Sequence, residues 1–586
     1  MARVAAGTLS RLWLMAGLRL SQWPRRRSAG LALGLALMGA LAYLPGLGSE
    51  GSITQKDEFN MSLRTQVETL AAGRFWTPFL DGQPRFKKPP LMYWALTALG
   101  AAFGTGLFVA RLPGVAAAVA LAWGVAELAG ETGMKRDRWK AGLMTLGSMG
   151  VFVMGRMALL DVPMAAFATL GVLGALRWLR HDSRGWLVFA AACAGLANMA
   201  KGPIGPFVVL AALALRLWVF GQWAWLWPRW RDLALAAGVF AVVGLGWAVA
   251  MAAAWGDSFW MTVSSELGAD HSHTTLWKGA GTLAFGAVAL VAPWSFLLLA
   301  GAANGRRLQG AARREALWMA LWALACAAPF LVLPAQFERY LAPALAPLIL
   351  FTVRCYDGGQ PWGRVAARAT AWAAGVFSVA LAAAGVWFNV GWWGAWVVSA
   401  ALAVGGGWAL AARRSMEAAA ALAALWLMVT AGLLYPCLGV NRLPSDIGER
   451  LAGVKGRIYQ AGSRPAFLCS RLARPTHKLL WQPDQMRKAV DAGEVVAVCG
   501  EDRPELDKQL AEMGAAAARV ITRWDAFMTR KTFLQFTRKG VTAAEWREAF
   551  RNRSLDGLKD SCEVVALGWK APAAGPDASP ARATAK

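Results

Sequence analysis

The sequence predicts a mainly α-helical, polytopic membrane protein of about 13 transmembrane helices, followed by a small C-terminal α/β domain. Composition is the first reason, because 57% of the 586 residues are hydrophobic and soluble domains are rarely so apolar. The second is that apolar runs near the ~20 residues that a spanning helix needs recur as far as residue 437. Beyond that point the runs become short and alternate between strand-like and helix-like patterns.

The net charge of +26 is compatible with two kinds of partner. Proteins that bind nucleic acid carry a basic soluble region with stacking aromatic residues, and the sequence shows no such region. Membrane proteins concentrate Lys and Arg in cytoplasmic loops, which is where the basic residues lie here. We therefore expect membrane lipids as partners and no nucleic acid.

The chain begins with a basic segment, residues 1–28, in which Leu and Trp are interleaved with Arg. We predict that this segment is cytoplasmic and forms an amphipathic helix on the membrane surface. The apolar run 29–48 exceeds a signal-peptide core and lacks a clear cleavage site, so it predicts a retained first span. Since basic residues mark the cytoplasmic side, residues 49–108 form a periplasmic loop.

The remaining spans follow from the apolar runs and from the charges of the connectors between them. They are predicted near 109–130, 139–158, 162–180, 186–200, 203–220, 233–254, 281–301, 316–334, 340–356, 368–388, 391–412 and 417–436. Basic connectors such as 135–140 and 306–314 should be cytoplasmic. This requires the apolar segment 91–108 to lie in the outer interface or to re-enter, because a full crossing would invert every later connector. The transmembrane domain is therefore 29–437, and the C-terminal domain is periplasmic.

The first loop is the longest polar segment before the C-terminal domain. It opens on an acidic pair, Asp57 and Glu58, and continues as a predicted helix over 60–72. Gly73 ends this helix, since glycine suits a left-handed helix stop. The loop closes on two lysines and two prolines at 87–90. Carboxylates and ammonium groups beside a membrane are what the transfer of a sugar from a lipid phosphate needs.

Several short motifs follow one another in a specific order. They are Asp57-Glu58; Gly73, Trp76, Pro78, Gly82 and Pro84; Lys88-Pro89-Pro90-Leu91 with Tyr93-Trp94; Arg111-Leu112-Pro113; Leu160-Asp161-Val162-Pro163; Lys201-Gly202-Pro203; and Arg339-Tyr340-Leu341 with Pro343. In this order they resemble the bacterial aminoarabinose transferases of lipid A, which belong with the protein O-mannosyltransferases among membrane glycosyltransferases that use polyprenyl-phosphate sugars. The resemblance covers residues 25–440.

This resemblance implies a GT-C type fold in the bacterial inner membrane. It implies a glycosyltransferase that moves a sugar, 4-amino-4-deoxy-L-arabinose in the relatives, from a polyprenyl-phosphate donor to a periplasmic acceptor such as lipid A, with inversion at the anomeric carbon. One alternative is another sugar, or a protein or polysaccharide acceptor. An alternative of another class is a lipid or polysaccharide transporter, which should show charges through the depth of its spans or two matching broken-helix halves.

The catalytic candidates are Asp57 and Asp161. Asp57 could equally be a solvated loop carboxylate, or one that favours the positive end of the helix after it. Asp161 precedes a span and is followed closely by Pro163, so the alternative is a helix N-cap with proline in the first turn. The resemblance favours a catalytic role for both residues. Asp57 would act as a general base on a hydroxyl acceptor, or would orient an acceptor that is already anionic.

Cationic and aromatic residues on the same side are candidates for binding the donor phosphate. They are Arg64, Lys87, Lys88, Arg156, Lys201, Arg339 and Tyr340. Fixed cations stabilise the negative charge that develops on the leaving phosphate. The alternative for Lys88 and Lys201 is snorkelling of their side chains to the interface. For Arg156 this alternative is weaker, because charges at membrane depth usually face a cavity.

Glu58, Glu266, His271 and His273 are further candidates. A His-x-His pair with a distant Glu is a weak metal signal, and a solvated loop is the competing interpretation. In the related aminoarabinose transferases, the residue before the Lys-Pro-Pro motif is usually a Glu that helps to hold a metal. This chain has Lys87 there. We therefore predict no cofactor and no metal ligands, and the use of a divalent ion stays open.

Residues 438–571 predict a small α/β domain. Strand-like runs at 466–469 and 494–499 lie among helix-like runs such as 503–513. Cys469 and Cys499 each end a strand-like run in an oxidising compartment, which makes a disulfide between them a hypothesis. The tail 572–586, rich in Ala and Pro, is predicted to be disordered.

Overall fold

A computed structural model describes residues 25–267, 276–332, 337–413, 415–462, 466–479, 481–500, 502–529 and 535–569. The chain divides into two compact units, Met1–Leu438 and Gly439–Lys586. Most of the basic N-terminal segment, the C-terminal tail, His271 and His273 lie outside the described residues, as does the side chain of Glu266.

The first unit is helical, as the sequence predicts. Its α-helices up to residue 267 are α1 (Arg25–Tyr43), α2 (Leu63–Ala72), α3 (Leu91–Phe103), α4 (Leu107–Glu131), α5 (Arg138–Leu146), α6 (Met149–Gly155), α7 (Asp161–His181), α8 (Arg184–Lys201), α9 (Ile204–Phe220), α10 (Trp230–Phe240), α11 (Gly246–Trp255) and α12 (Asp257–Leu267). The later ones are α13 (Leu276–Val291), α14 (Ser295–Gly305), α15 (Gly310–Val332), α16 (Leu345–Cys355), α17 (Pro361–Trp387), α18 (Trp393–Ala411) and α19 (Met416–Leu427).

Seven helices in the described part are long and apolar enough to cross a membrane, or up to eight if one bent pair counts as a single span. The chain is thus a multi-pass protein, but the count of about 13 spans is not confirmed. Several apolar runs are short or interrupted helices. The run 139–158 is divided into α5 and α6, and α13 and α14 meet at an angle of 107°.

The first loop folds as a helix, a hairpin and a second helix. A π-helical turn (Glu58–Ser62) leads into α2, which ends at Gly73 with φ of 65°, so the predicted glycine stop is confirmed. Strands β1 (Phe79–Leu80) and β2 (Gln83–Pro84) pair antiparallel around Asp81 and Gly82, both at positive φ, the geometry of a two-residue hairpin turn. At 13 residues, α3 is about 20 Å long, too short to cross a bilayer core of roughly 30 Å.

The core of the first unit is continuous and draws on most of its long helices. It includes Leu35 of α1, Leu121 of α4, Val172 of α7 and Leu350 of α16. One close backbone approach ties the end of α1 to a late segment. At Gly46, φ is 67° and a Cβ would lie 1.9 Å from the carbonyl oxygen of Gly432, so no other residue fits there without movement of the backbone.

The second unit is built on one five-stranded sheet with the order β4-β3-β5-β7-β6. Its strands are β3 (Ile458–Ala461), β4 (Thr476–Leu479), β5 (Val495–Cys499), β6 (Ala515–Ala526) and β7 (Asp560–Trp569), and its helices are α20 (Ile447–Leu451), α21 (Leu468–Leu472), α22 (Pro483–Asp491), α23 (Arg503–Glu512) and α24 (Ala543–Asn552). Strands β4, β3 and β5 are parallel, and β7 pairs antiparallel with β5 and β6.

Two sequence predictions in this unit are wrong. The run 466–469 is not a strand and leads into α21. Cys469 is buried and forms no disulfide with Cys499, which instead pairs with Cys562. These two cysteines face each other directly across β5 and β7, a pairing that only the sheet register could reveal.

Candidate active site

Asp57 lies at the start of the first loop and forms an ion pair with a residue far along the chain. Its Oδ2 is 2.6 Å from Nη2 of Arg339, which belongs to a 3₁₀ helix (Glu338–Ala344). Nη1 of Arg339 donates to Oε1 of Gln55 at 2.9 Å. The Asp57 side chain is 47% exposed, whereas that of Arg339 is 12% exposed. The carboxylate is therefore held by a buried cation and still open to a substrate.

Asp161 forms the second ion pair of this site, with Lys201. Both side chains are nearly buried. The interpretation of Asp161 as a helix N-cap is wrong, because Leu160 is the N-cap of α7 and Asp161 is its first residue, with no side-chain capping bond. Its carboxylate instead pairs with the ammonium at the last residue of α8, so α7 and α8 bring the two charges together where these helices begin and end.

Tyr340 joins the two ion pairs. The Lys201 ammonium lies 4.4 Å from the centre of its ring, and the Arg339 guanidinium lies 5.7 Å from it, distances at which a cation is attracted to an aromatic face. The ring of Phe330 packs against that of Tyr340 at 4.9 Å between centroids. Tyr340 therefore holds two cations beside each other in spite of their mutual repulsion.

The charges of this cluster are coupled. Burial alone would lower the pKa of the Arg339 guanidinium, but Asp161 and Asp57 raise it above the usual value, so Arg339 stays positively charged. The positive charges of Arg339 and Lys88 both act on Lys201. Three cations and two carboxylates leave one net positive charge, which suits a site for an anionic ligand.

Glu58 is placed differently from its neighbour Asp57, since it is fully buried. Its two oxygens accept from Nε and Nη2 of Arg111 at 2.8 and 3.1 Å, and Oε1 also accepts from the backbone N–H of Ala158 at 3.0 Å. Arg111 further donates to the carbonyl oxygens of Leu47 and Ser49. The pair thus fixes the loop to α4 and to the segment before Asp161.

Arg64 and Arg156, both predicted to bind the donor phosphate, are also engaged by the protein. Arg64 pairs with Asp81 of the hairpin and lies 3.7 Å from Glu68. Arg156 donates to the carbonyl oxygen of Tyr43 at the end of α1. Both arginines are buried, and these contacts hold the first loop and α1 in place.

The two lysines of the Lys-Pro-Pro region differ in exposure. Lys87 is exposed and Lys88 is half-buried. The residues at this position do not fit the metal ligand that the resemblance implies, because a protonated ammonium has no lone pair and its charge repels a cation. We therefore derive no step through a metal ion here.

Sequence reasoning missed several residues that support the site. Gln55, which accepts from Arg339, carries no signal in the sequence. Arg85 is buried and donates to the hydroxyl of Tyr93 at 3.1 Å, which anchors the segment before Lys88 to α3. The partner of Glu58 could have been found, since Arg111 is a charge within an apolar run and such charges usually have a partner.

The cluster can therefore bind a phosphate through Lys88, Lys201 and Arg339, and offers Asp57 and Asp161 on the same site. A bound phosphate would compete with the carboxylates for these cations, so ligand binding would free acidic oxygens beside the reacting group. Cations that the protein already holds in place need little reorganisation during a reaction at a phosphate.

Comparisons with known proteins show which proteins the chain resembles. Residues 87–247 match the family model described as dolichyl-phosphate-mannose-protein mannosyltransferase. The undecaprenyl phosphate-alpha-4-amino-4-deoxy-L-arabinose arabinosyl transferase of Yersinia enterocolitica is 28% identical over 348 residues, which are 55% of this chain and 58% of that protein. The chain thus spans less than two thirds of the length of this curated relative.

Two solved structures of ArnT from Cupriavidus metallidurans resemble nearly the whole chain. The one bound to undecaprenyl phosphate has a TM-score of 0.64 at 17% identity and covers 91% of this chain and 97% of that one. The apo state has a TM-score of 0.62 at 19% identity with the same coverage. These matches confirm the resemblance that the loop motifs indicated. The chain therefore has the GT-C fold of ArnT, and its sequence is similar to polyprenyl-phosphate-dependent glycosyltransferases of the aminoarabinose and mannose transferase class.

Proposed function

We propose that the protein transfers a sugar from a polyprenyl-phosphate donor to an acceptor on the periplasmic face of the inner membrane, with 4-amino-4-deoxy-L-arabinose as the sugar and lipid A as the acceptor. The observation that carries this proposal is the convergence of Asp57, Asp161, Lys201, Arg339 and Tyr340 from distant parts of the chain. The names of the relatives supply the sugar and the acceptor.

The reaction is a direct displacement at the anomeric carbon. An acceptor oxygen forms a bond to this carbon while the bond to the donor phosphate oxygen breaks, and polyprenyl phosphate leaves with the electron pair. The configuration at the carbon inverts. The developing negative charge resides on the phosphate, where Lys88, Lys201 and Arg339 stabilise it.

The role of Asp57 depends on the acceptor. A lipid A phosphate is already an anion and needs no general base, so Asp57 would orient it through Arg339 or bind the ammonium of an amino sugar. A hydroxyl acceptor has to lose a proton, and Asp57 would then accept it. Asp161 keeps Lys201 in place until the donor phosphate replaces it as the partner of the ammonium.

The test of this proposal is mass spectrometry of lipid A from cells with and without the protein. A mass increase by one amino-pentose that depends on the protein would support it. The matched control is the Asp57→Asn protein at equal abundance in the membrane, which should give unmodified lipid A. Unmodified lipid A with the wild-type protein, in cells that make the donor, would overturn the choice of acceptor.

The orientation belongs to the same proposal, with the N-terminus cytoplasmic and the second unit, Gly439–Lys586, in the periplasm. The disulfide between Cys499 and Cys562 supports this placement, because disulfides persist in oxidising compartments such as the periplasm. The wild-type chain should carry this disulfide when it is isolated with free thiols blocked, and a chain confined to the cytoplasm should not.

A protein acceptor is the second candidate function. The observation that favours it is the match of residues 87–247 to the dolichyl-phosphate-mannose-protein mannosyltransferase model. Glycopeptide mass spectrometry of periplasmic proteins from the same two strains separates the candidates. Hexose on serine or threonine that depends on this protein, with unchanged lipid A, would favour the protein acceptor.

A further inference from the structure

A cavity of about 380 Å³ lies among the later helices of the first unit. Its walls come from the bend between α13 and α14 and from α17, α18 and α19. The cavity exists because small residues line part of its wall. They include Ala403 and Gly407 of α18 and Ala423 of α19. Larger apolar side chains, Phe296 and Trp426, complete the lining.

The start of α17, one of the helices that line the cavity, lies at the end of the unit opposite to the cluster around Asp161 and Lys201. Arg354, at the end of α16, donates to the carbonyl oxygen of Thr132, and Glu131 beside it pairs with Arg180 near the end of α7. This end of the unit is therefore opposite to the start of α7 at Asp161, and α17 begins here, shortly after Arg354, at Pro361.

The depth of the cavity follows from positions along its helices. Leu410 lines it three residues before Arg413, and Phe377 lines it sixteen residues after the start of α17 at Pro361. At 1.5 Å a residue, the lining extends from about 5 to about 24 Å below these helix ends. The cavity therefore begins at the depth of the chains of the leaflet on this side and reaches beyond the middle of a bilayer core of roughly 30 Å.

The cavity opens towards the lipid side. Phe377, one of its lining residues, is 51% exposed, and its ring lies 6.3 Å from that of the buried Trp426. Phe296 on the facing wall is 42% exposed. The adjoining connector and helix start carry Arg364, Arg368 and Arg413, charges that complement a phosphate headgroup.

We propose that this cavity binds one acyl chain of a bilayer phospholipid, from the leaflet on the side of these arginines. An apolar cavity that opens sideways in a membrane meets hydrocarbon, and burial of a methylene chain among apolar side chains is favoured by close packing. The arginines select a lipid with an anionic phosphate above this chain. The bound lipid would fill the space between α17, α18 and α19 and stabilise their packing.

The test compares lipids that remain on the protein after purification in mild detergent, quantified by mass spectrometry per protein molecule. Wild type should retain one phospholipid tightly. Ala403→Phe and Ala423→Phe fill the cavity from two different helices and should reduce this retention about tenfold, the change expected for the loss of roughly two buried methylene contacts. Ala401→Phe, on the exposed side of the same helix, is the matched control and should behave like wild type.

Equal retention by all four proteins would overturn the proposal. So would retention of a polyprenyl phosphate in place of the phospholipid, because the cavity would then belong to the donor. A second measurement needs no variant. Phosphatidylglycerol with a diazirine in its acyl chain should label the wild-type protein at residues that line the cavity. These residues lie within 370–377, 402–410 and 419–426. Labels confined to the outward-facing Trp372, Val376 and Trp408 would contradict a bound chain.

Discussion

Glu58 and Arg111 form a two-point ion pair in which neither side chain has exposed surface. The carboxylate also accepts from the backbone N–H of Ala158, three residues before Asp161. A single buried pair thus connects the two segments that carry the candidate catalytic aspartates. Asp57 directly precedes Glu58 in the chain, and Asp161 follows Ala158 by three residues. Asp57 itself stays 47% exposed, while the buried Glu58 beside it fixes the position of the backbone.

Glu58→Gln should therefore lower the free energy of unfolding more than a substitution at Asp57 does. Removal of one charge from a buried pair leaves the other without compensation and costs about 3–5 kcal/mol. The free energy of unfolding in mixed micelles measures this loss. Asp57→Asn is the matched control, since it removes the same charge one residue away from a half-exposed pair and should cost less than about 1 kcal/mol. Equal losses in both variants would contradict the assigned roles.

Asp57→Asn should abolish sugar transfer in protein that remains folded in the membrane. The amide cannot accept a proton as a carboxylate does and no longer holds Arg339 by charge. Initial rates with purified donor and acceptor, at matched protein amounts, provide the measurement. Turnover at the wild-type rate would remove Asp57 from the site.

Lys201→Met should lower kcat/KM for the donor on the order of 10²-fold, the usual cost of one lost group that stabilises a developing anion. The control is Lys140→Met, because Lys140 is also paired with an aspartate, Asp137 at 2.6 Å, but lies outside the cluster. Asp161→Asn should reduce the rate as well. In the double variant the two effects should not add, since paired residues share one interaction, and strict additivity would count against their coupling.

Labelling of single cysteines tests the orientation. Arg136→Cys, Arg307→Cys and Arg413→Cys should resist a membrane-impermeant thiol reagent added from the periplasm, because basic connectors face the cytoplasm. Asp270→Cys should react. The exposed Cys437 has to be replaced first. Periplasmic labelling at residue 307 would overturn both the span count and the side on which the site lies.

Chelators should leave most of the activity intact. Lys87 carries an ammonium where the related transferases carry a metal-binding Glu, and carboxylate oxygens are what zinc and harder divalent ions bind. Lys87→Glu should weaken donor or acceptor binding, which a rise in KM would report. Loss of activity on chelation that zinc restores would show that a metal is used, and would return attention to His271 and His273.

The sequence predicted that the first unit is helical and that α2 ends at Gly73, because apolar runs and a glycine stop depend on local chemistry. It failed where the answer depended on partners far along the chain. A helix cap was one interpretation of Asp161, yet its charge pairs with Lys201, where α7 begins and α8 ends. The breaks between α5 and α6 and between α13 and α14 lie inside runs whose hydrophobicity shows no interruption.

The candidate site was predicted in part. Asp57, Asp161, Lys201, Arg339 and Tyr340 do come together, whereas Arg64 and Arg156 hold the scaffold. A basic residue beside a membrane has the same appearance in the sequence whether it faces a substrate or a buried carbonyl oxygen. The wrong disulfide has a similar cause, since Cys562 lies 63 residues after Cys499 and only strand pairing brings them together.

The hydrogen bond from Arg339 to Gln55 joins residues 284 positions apart. At 5–20 residues synthesised per second, the first loop would wait about 14–57 s for its partner to leave the ribosome. During this time Asp57 and Gln55 lack Arg339 as a partner. The early helices are therefore made before the site exists, and chains interrupted before residue 339 should accumulate as inserted but inactive intermediates.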